Sequence, residues 1–356
     1  MSIDIHQNDA APKMASSTKT NPPPSRVQPA AAQPAITIPR HFAFLLLDRF
    51  TLIAFSAAIE PLRLANRVAG TTLYTWQLIS DTGQPVICSN GTQVTVHSGM
   101  ENLHKEATVI VCGGVDAKRA TTPNILAWLR KRARYGNIIG GICTGGWALA
   151  KAGLLDNRRA TIHWENHTGF AEDFPEIDLT KSVFVIDGTR VTSAGGMASL
   201  DMMLTMIANE HGSPVANSVA DQLIYSSIRT NRDTQRLSIP ARIGVRHPKL
   251  ARVIEIMESH IEDPISPADL AEEVDMSTRQ LERLFRRYLN RSPKRYYTEL
   301  RLERARNLLM QTDMSVINVA LASGFTSPSH FSKCYRAHYN TTPYRERGAR
   351  SSDSPQ

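Results

Sequence analysis

The sequence predicts two unlike folds in tandem. An α/β domain on a mostly parallel sheet comes first, and an all-α domain that uses one supersecondary unit twice follows it. Three observations carry this. Strand-length apolar runs alternate with helical periodicity from Arg40 to Arg229, the pattern of a sheet covered on both faces. Near the C-terminus a segment matches itself after a shift of fifty residues. The charge is segregated: the 356-residue chain carries +8, yet Ser277–Arg350 holds 15 Lys/Arg against five Asp/Glu.

Residues 1–38 are rich in Pro, Ala, Ser, Thr, Gln and Asn and poor in large apolar side chains. Such a segment cannot bury enough surface to offset its ordering entropy, so a disordered tail is expected. The first folded domain is expected over 39–230. Phe42–Leu47 is an apolar run of strand length, Asp48–Thr51 a turn and Leu52–Val68 a helix. Tyr74–Ser80 reads as a strand and Pro85–Val96 as a small hairpin around Asn90-Gly91. Thr108–Cys112 is a buried strand, Pro123–Tyr135 a helix, Ile138–Ile142 a strand and Thr144–Ala152 a helix. Strands Ser182–Ile186 and Arg190–Ser193 and helices Ser199–Glu210 and Pro214–Arg229 complete the domain. Residues 231–248 are polar, basic and proline-bearing, which suits a linker.

The all-α domain is expected over 249–348, with 349–356 a tail. Shifted by fifty, Ala271–Pro293 falls on Leu321–Pro343: Ser277 meets Ser327, Phe285 meets Tyr335, Arg286 meets Arg336 and Asn290 meets Asn340. Each copy reads as two short helices and a turn. Ser266-Pro267 opens the first helix, and Ser277 with Gln280 forms a capping box for the second. Leu281, Leu284, Phe285, Tyr288 and Leu289 recur on one face, and Arg279, Glu282, Arg283 and Arg286 lie opposite. Ser292-Pro293 starts a longer helix to Met310 with Tyr296, Leu300, Ala305, Leu308 and Leu309 as its stripe. In the second copy Ser315 opens Val316–Ser323, Gly324 breaks it and Ser327-Pro328 opens the last helix. There Phe331, Cys334, Tyr335 and His338 are expected inward, and Ser329, His330, Ser332, Lys333 and Arg336 outward. Helix, turn and helix with a basic outer face is the form that enters a DNA major groove, and two copies would meet grooves ~34 Å apart. The bland alternative is a helical bundle with a solvated basic face.

The chemistry of the first domain centres on Gly141-Ile142-Cys143-Thr144-Gly145, a G-x-C-x-G turn between a buried strand and a helix. Such an elbow sets the side chain at the carboxyl edge of the sheet, where ligands of open α/β sheets bind, beside a helix N-terminus that favours thiolate. Cys88, Cys112, Cys143 and Cys334 show no disulfide or metal spacing, so reduced thiols are expected and neither metal nor cofactor. No 18-residue apolar run and no secretory h-region is present, so the expectation is a cytoplasmic protein without membrane contact.

The segment 249–348 resembles the AraC/XylS family of DNA-binding domains, most clearly over Arg301–Tyr344. That resemblance implies transcriptional regulation, usually activation, with Arg279, Gln280, Arg283 and Arg286 facing the groove in the first motif and Ser329, His330, Lys333 and Arg336 in the second. Arg40–Arg229 resembles the PfpI-like members of the class I glutamine-amidotransferase superfamily, which implies a flavodoxin-like sheet. By that resemblance Glu60 is the acidic partner of Cys143, His163 is the pocket histidine, and 191–203 leads into the penultimate helix. The stretches Gly140–Leu155, His163–His167 and Gly244–Leu250 are similar to regulators of glycine betaine, carnitine and arginine catabolism.

Catalysis is not expected. No H-x-E follows Val191, and Thr144 stands where hydrolytic relatives often carry His. The expected function is sequence-specific DNA binding at a promoter under a small nitrogenous effector. Cys143, Thr144, Glu60, His163, Trp164 and Asn166 are the effector candidates, and Trp147 is a further aromatic one. RNA polymerase and a second copy of the chain are the expected protein partners. The alternatives are a cysteine-dependent hydrolase or amidotransferase using Cys143, Glu60 and His163, or a thiol redox sensor, each tethered to DNA.

Overall fold

The apolar runs and periodicities become a six-stranded sheet wrapped by helices, followed by a helical array. The computed structural model describes residues 38–352, with side chains to 348. The tail expected over 1–38 lies outside the described residues, apart from an exposed Ile38. In order the first part contains β1 (Arg40–Leu46), α1 (Leu52–Ala69), β2 (Tyr74–Ile79), the short pair β3 (Val86–Ile87) and β4 (Gln93–Val94), β5 (Thr108–Cys112), α2 (Ala117–Ala120) and α3 (Pro123–Arg134). Then come β6 (Ile139–Ile142), α4 (Gly146–Lys151), β7 (Arg159–Ala160), α5 (His167–Asp173), β8 (Asp178–Leu179), β9 (Phe184–Asp187), β10 (Arg190–Ser193), α6 (Ala198–His211) and α7 (Ser213–Gln222).

Strand order is β2-β1-β5-β6-β10-β9, parallel throughout except where β9 runs against β10. Successive side chains of a strand point to opposite faces. Accordingly Phe42, Phe44 and Leu46 pack into a core with α1, α6 and α7, while Ala43, Leu45 and Leu47 pack into another with α3 and α4. Two departures from expectation stand out. Helix α7 stops at Gln222 rather than reaching Arg229, because Ile224 takes φ 54° and turns the chain back. That return brings Arg229 and Tyr225 onto the fully buried Asp201, whose carboxylate accepts from the Tyr225 hydroxyl at 2.9 Å and from Arg229 Nε and backbone N at 2.8 Å. The second departure is α5, with β7 and β8 around it: short polar elements whose periodicity is too brief to read.

The helical part contains α8 (Ile239–Ile243), α9 (Pro248–Ser259), α10 (Pro267–Glu272), α11 (Thr278–Leu289), α12 (Pro293–Gln311), α13 (Val316–Ala322), α14 (Pro328–Tyr339) and α15 (Pro343–Ser352). Thus the segment expected as a tail from 349 is helical as far as Ser352. The capping serines work as expected: Ser266, Ser277, Ser292, Ser315 and Ser327 each accept the backbone N–H three residues on. Asn290 and Asn340 close the paired helices with φ 53° and 57°. Two cores form. Leu281, Leu284, Phe285 and Tyr297 belong to the first, and Leu302, Ala305, Leu308, Phe331 and Tyr335 to the second, so the two halves of α12 fill different cores.

Some expected inward residues are not buried. Tyr288 is 36% exposed with its ring against His247, and His338 stands on the surface; both lie on the last turn of their helices. Cys334, Tyr296 and Leu300 are only half-buried, and Tyr297 and Leu302 take the central places on α12.

The segment 231–248 is no loose tether. Thr234 bridges to Ser182 beside β9, and Val183 N–H donates to the Asp233 carbonyl at 3.0 Å. Described residues from Ile38 onward form one compact unit.

Arg301 on α12 fixes the second motif. Its Nε donates to the Ser323 carbonyl at 3.0 Å and Nη2 to the Gly324 carbonyl at 2.6 Å, with the guanidinium 4.1 Å above the Phe325 ring. Those carbonyls end α13, where a cation is favoured. Replacing Arg301 with Ala should lower unfolding free energy by about 2–3 kcal/mol, as expected for lost charge-assisted bonds; chemical denaturation of the full chain measures it, and an unchanged midpoint would contradict the assignment.

Candidate nucleic-acid interface and sensor elbow

The arginines of the helical domain fall into two sets. One set is paired with carboxylates of the chain: Arg291 and Arg295 share Glu299 at 2.5 and 3.1 Å, Arg304 meets Glu262 at 2.5 Å, and Arg306 meets Glu346 at 2.9 Å. Arg279, Arg283 and Arg286 on α11, and Lys333 and Arg336 on α14, are exposed and make no ion pair or hydrogen bond among the described residues. Ser329 is likewise exposed and unpartnered. These lie on the outward faces of α11 and α14, the second helix of each motif. Two expected readers are partly engaged elsewhere. The Gln280 side-chain oxygen accepts from the Ser277 N–H at 2.8 Å, completing the capping box and leaving its amide nitrogen for a groove. His330 lies 3.4 Å from the Cys334 sulfur through Nε2. The α12 strut between the motifs has 19 residues, about 28 Å at 1.5 Å per residue.

The G-x-C-x-G segment folds as an elbow. β6 ends at Ile142, Cys143 takes φ 57°, and one 3-10 turn leads into α4. A non-glycine residue at positive φ is strained and is held there by its surroundings. Glycines make the space: a Cβ on Gly145 would lie 2.1 Å from the Val111 carbonyl oxygen, and one on Gly195 would lie 2.7 Å from Cys143 Cβ. The Thr144 hydroxyl donates to the Gly114 carbonyl at 2.6 Å.

The chain does not build a nucleophilic pair here. The partner of the Cys143 sulfur is the Thr51 hydroxyl at 3.6 Å, and no hydrogen bond joins Cys143 to His163 among the described residues. Burial pushes the thiol up, outweighing the opposing bonds from Thr51 and the Thr144 N–H, and the Glu165 charge adds to the rise. The thiolate expected from the helix N-terminus is therefore not favoured. Among the described residues no hydrogen bond joins Glu60 to Cys143. Glu60 is half-exposed and bound by Arg63 at 2.6 Å, nine helix positions past Thr51, or about 13 Å along the axis.

His163, Trp164 and Asn166 form one tight turn, with Asn166 N–H donating to the His163 carbonyl at 2.8 Å. The His163 imidazole lies 3.8 Å from Glu165 and is held below its ordinary range by burial. Trp147 is separate: Lys118 and Lys151 lie 5.7 and 5.3 Å from its ring, so this chain's own cations already use it. Sequence reasoning missed Thr51, Glu165, Gln235 and Arg236. Thr51 was detectable as the N-cap position before α1; Arg236, which sits 4.5 Å over the Trp164 ring, carries no local signal.

A sheet domain with a buried elbow, joined to two helix-turn-helix motifs whose outward cations are unneutralised, is the build of a DNA-binding transcriptional regulator. Comparisons with known proteins agree. The DJ-1/PfpI family matches residues 41–209 and a helix-turn-helix domain matches residues 270–349. The HTH-type transcriptional regulator GbdR of Pseudomonas aeruginosa is 46% identical over 309 residues, covering 87% of this chain and 84% of that protein. CdhR of the same organism is 47% identical, covering 86% and 91%. A solved AraC-type DNA-binding domain-containing regulator from Chromobacterium violaceum is 50% identical over 31% of this chain and 96% of its own, with TM-score 0.29. The chain belongs to the AraC-type HTH transcriptional regulators that carry a DJ-1/PfpI-family domain ahead of the reader.

A raised thiol at Cys143 predicts an order of alkylation. Thiolate is the reacting species, so at neutral pH iodoacetamide should label half-buried Cys334 first and leave Cys143 protected, with Cys143 reacting faster only as pH climbs above the usual thiol range. Peptide mass mapping over a pH series checks this; Cys143 labelling first at neutral pH would contradict it.

Proposed function

We propose that this regulator is a one-component activator. Its sensor domain takes a small nitrogenous metabolite on the wall formed by Cys143, Thr144, His163, Trp164 and Asn166, and the response passes to the two readers. The carrying observation is mechanical continuity. Gln235, in the connecting segment, buries its amide nitrogen in the sensor domain against Thr161 Oγ1, the Ile162 carbonyl and the Ser182 carbonyl at 2.9, 2.9 and 3.1 Å. Lys118 of the sensor reaches both Asp173 at 2.9 Å and Asp313 after α12 at 3.7 Å. A change at the His163–Asn166 turn is therefore felt by the segment leading to the readers.

The elbow supports binding rather than turnover, because its thiol is buried, raised and hydrogen-bonded to no base among the described residues. The readers act on duplex DNA in the cytoplasm. A homodimer would supply two half-sites, and RNA polymerase is the protein that an activator meets. Among the described residues no helix is long and apolar enough to cross a membrane.

The reading is tested by selecting a duplex from a randomised pool with the full chain and measuring gel-shift affinity. Arg286→Ala and Arg336→Ala should each weaken the selected duplex by about 1–3 kcal/mol if the guanidinium reads a base edge. Equal weakening on random duplex would make the contact a phosphate one, and no loss would remove that residue from the interface.

A further inference from the structure

A cleft of about 940 Å³ opens between the sensor domain, the connecting segment and helices α9 and α12. It is walled on one side by Trp164 and Glu165, and on the other by Glu258 and Arg304. Three residues on its lining keep a buried polar atom with no hydrogen-bond partner among the described residues: His167 Nε2, Gln235 Oε1 and Arg304 Nε. The His167 ring bonds the Thr180 backbone through its other nitrogen, which leaves Nε2 as a lone pair. Gln235 spends its amide nitrogen on three acceptors, so its free oxygen also accepts. Among the described residues the Glu165 carboxylate has no Lys or Arg ion pair, and only the His163 ring approaches it, at 3.8 Å. Acceptors thus dominate the Trp164 side, and Lys181, which has no ion pair among the described residues, lines the same cleft.

One group already fills the aromatic position. The Arg236 guanidinium stacks 4.5 Å over Trp164 and reaches Glu258 only at 3.9 Å. Glu258 does not depend on it, because Arg242 grips that carboxylate with two bonds of 2.8 and 3.0 Å. Arg236 is therefore a weakly held cation on a face that attracts cations, bridging the sensor wall to α9.

We propose that this cleft is the effector site, and that Arg236 is an internal stand-in for the cationic end of a small zwitterion. The effector cation displaces Arg236 from Trp164 beside Glu165, its carboxylate turns toward Lys181 and Arg304, and the Trp164–Arg236–Glu258 bridge between sensor and reader opens. A phosphate or other polyanion does not suit the Trp164 side, where the lone pairs of His167 and Gln235 and the Glu165 charge would oppose it. This rests on the effector reading above; of the wall named there the cleft keeps Trp164 and not Cys143, Thr144, His163 or Asn166.

The test is isothermal titration of the full chain with two zwitterions: glycine betaine, whose cation has no N–H, and L-arginine, whose cation is rich in them. One or both should bind. Arg236→Ala should tighten that affinity several-fold by removing the competitor, while Trp164→Leu and, as a gentler variant, Glu165→Gln should weaken it, the first by about tenfold. Affinity unchanged or weaker in Arg236→Ala overturns the stand-in. Loss of binding in Cys143→Ser with Trp164→Leu unaffected overturns the cleft while leaving the effector reading in place. No binding of either zwitterion to the wild-type chain overturns both.

Discussion

Helix α12 is the member on which the rest of the molecule bears. Its first half fills the core of one helix-turn-helix motif through Tyr297, and its second half fills the other through Leu302, Ala305 and Leu308. Tyr297 donates to the His260 carbonyl at 2.5 Å at the end of α9, and Arg301 closes α13. Past the helix end, a Cβ on Gly169 of the sensor would come within 2.8 Å of Thr312. A rigid helix shared by two cores holds both readers in one fixed relation, and the sensor touches its end.

The same economy explains the charge. Arg291, Arg295, Arg304 and Arg306 are paired in place with Glu299, Glu262 and Glu346, and among the described residues the arginines on the outer faces of α11 and α14 have no ion pair. A row of unpartnered cations costs stability through mutual repulsion, and a polyanion relieves it. The elbow shows the reverse logic. Its strained cysteine is wrapped by glycines, tied to Thr51 and kept protonated by burial, which serves packing and shape better than nucleophilic chemistry.

Much of this was legible in the sequence, because the signals are local. Ser266, Ser277, Ser292, Ser315 and Ser327 announce their helices by short-range capping, and the alternation of Phe42 to Leu47 between two cores follows from strand pleat. The elbow was readable because glycines at fixed spacing are demanded by close backbone approach. What escaped is non-local. Glu60 lies on the helix that starts at the thiol's partner Thr51, but two and a half turns further along it, where Arg63 holds it. The end of α7 is set by a distant buried carboxylate, Asp201, and the seating of 231–248 by side-chain bonds such as those of Gln235, which linker-like composition conceals. Arg236 over Trp164 joins residues 72 positions apart with no periodicity to connect them.

The central claim is that two readers on one strut meet one face of a duplex. Hydroxyl-radical footprinting of the full chain on its selected duplex addresses it directly. The account predicts two protected patches on the same face about one helical turn, ~34 Å, apart. A single patch, or two patches on opposite faces, would contradict it.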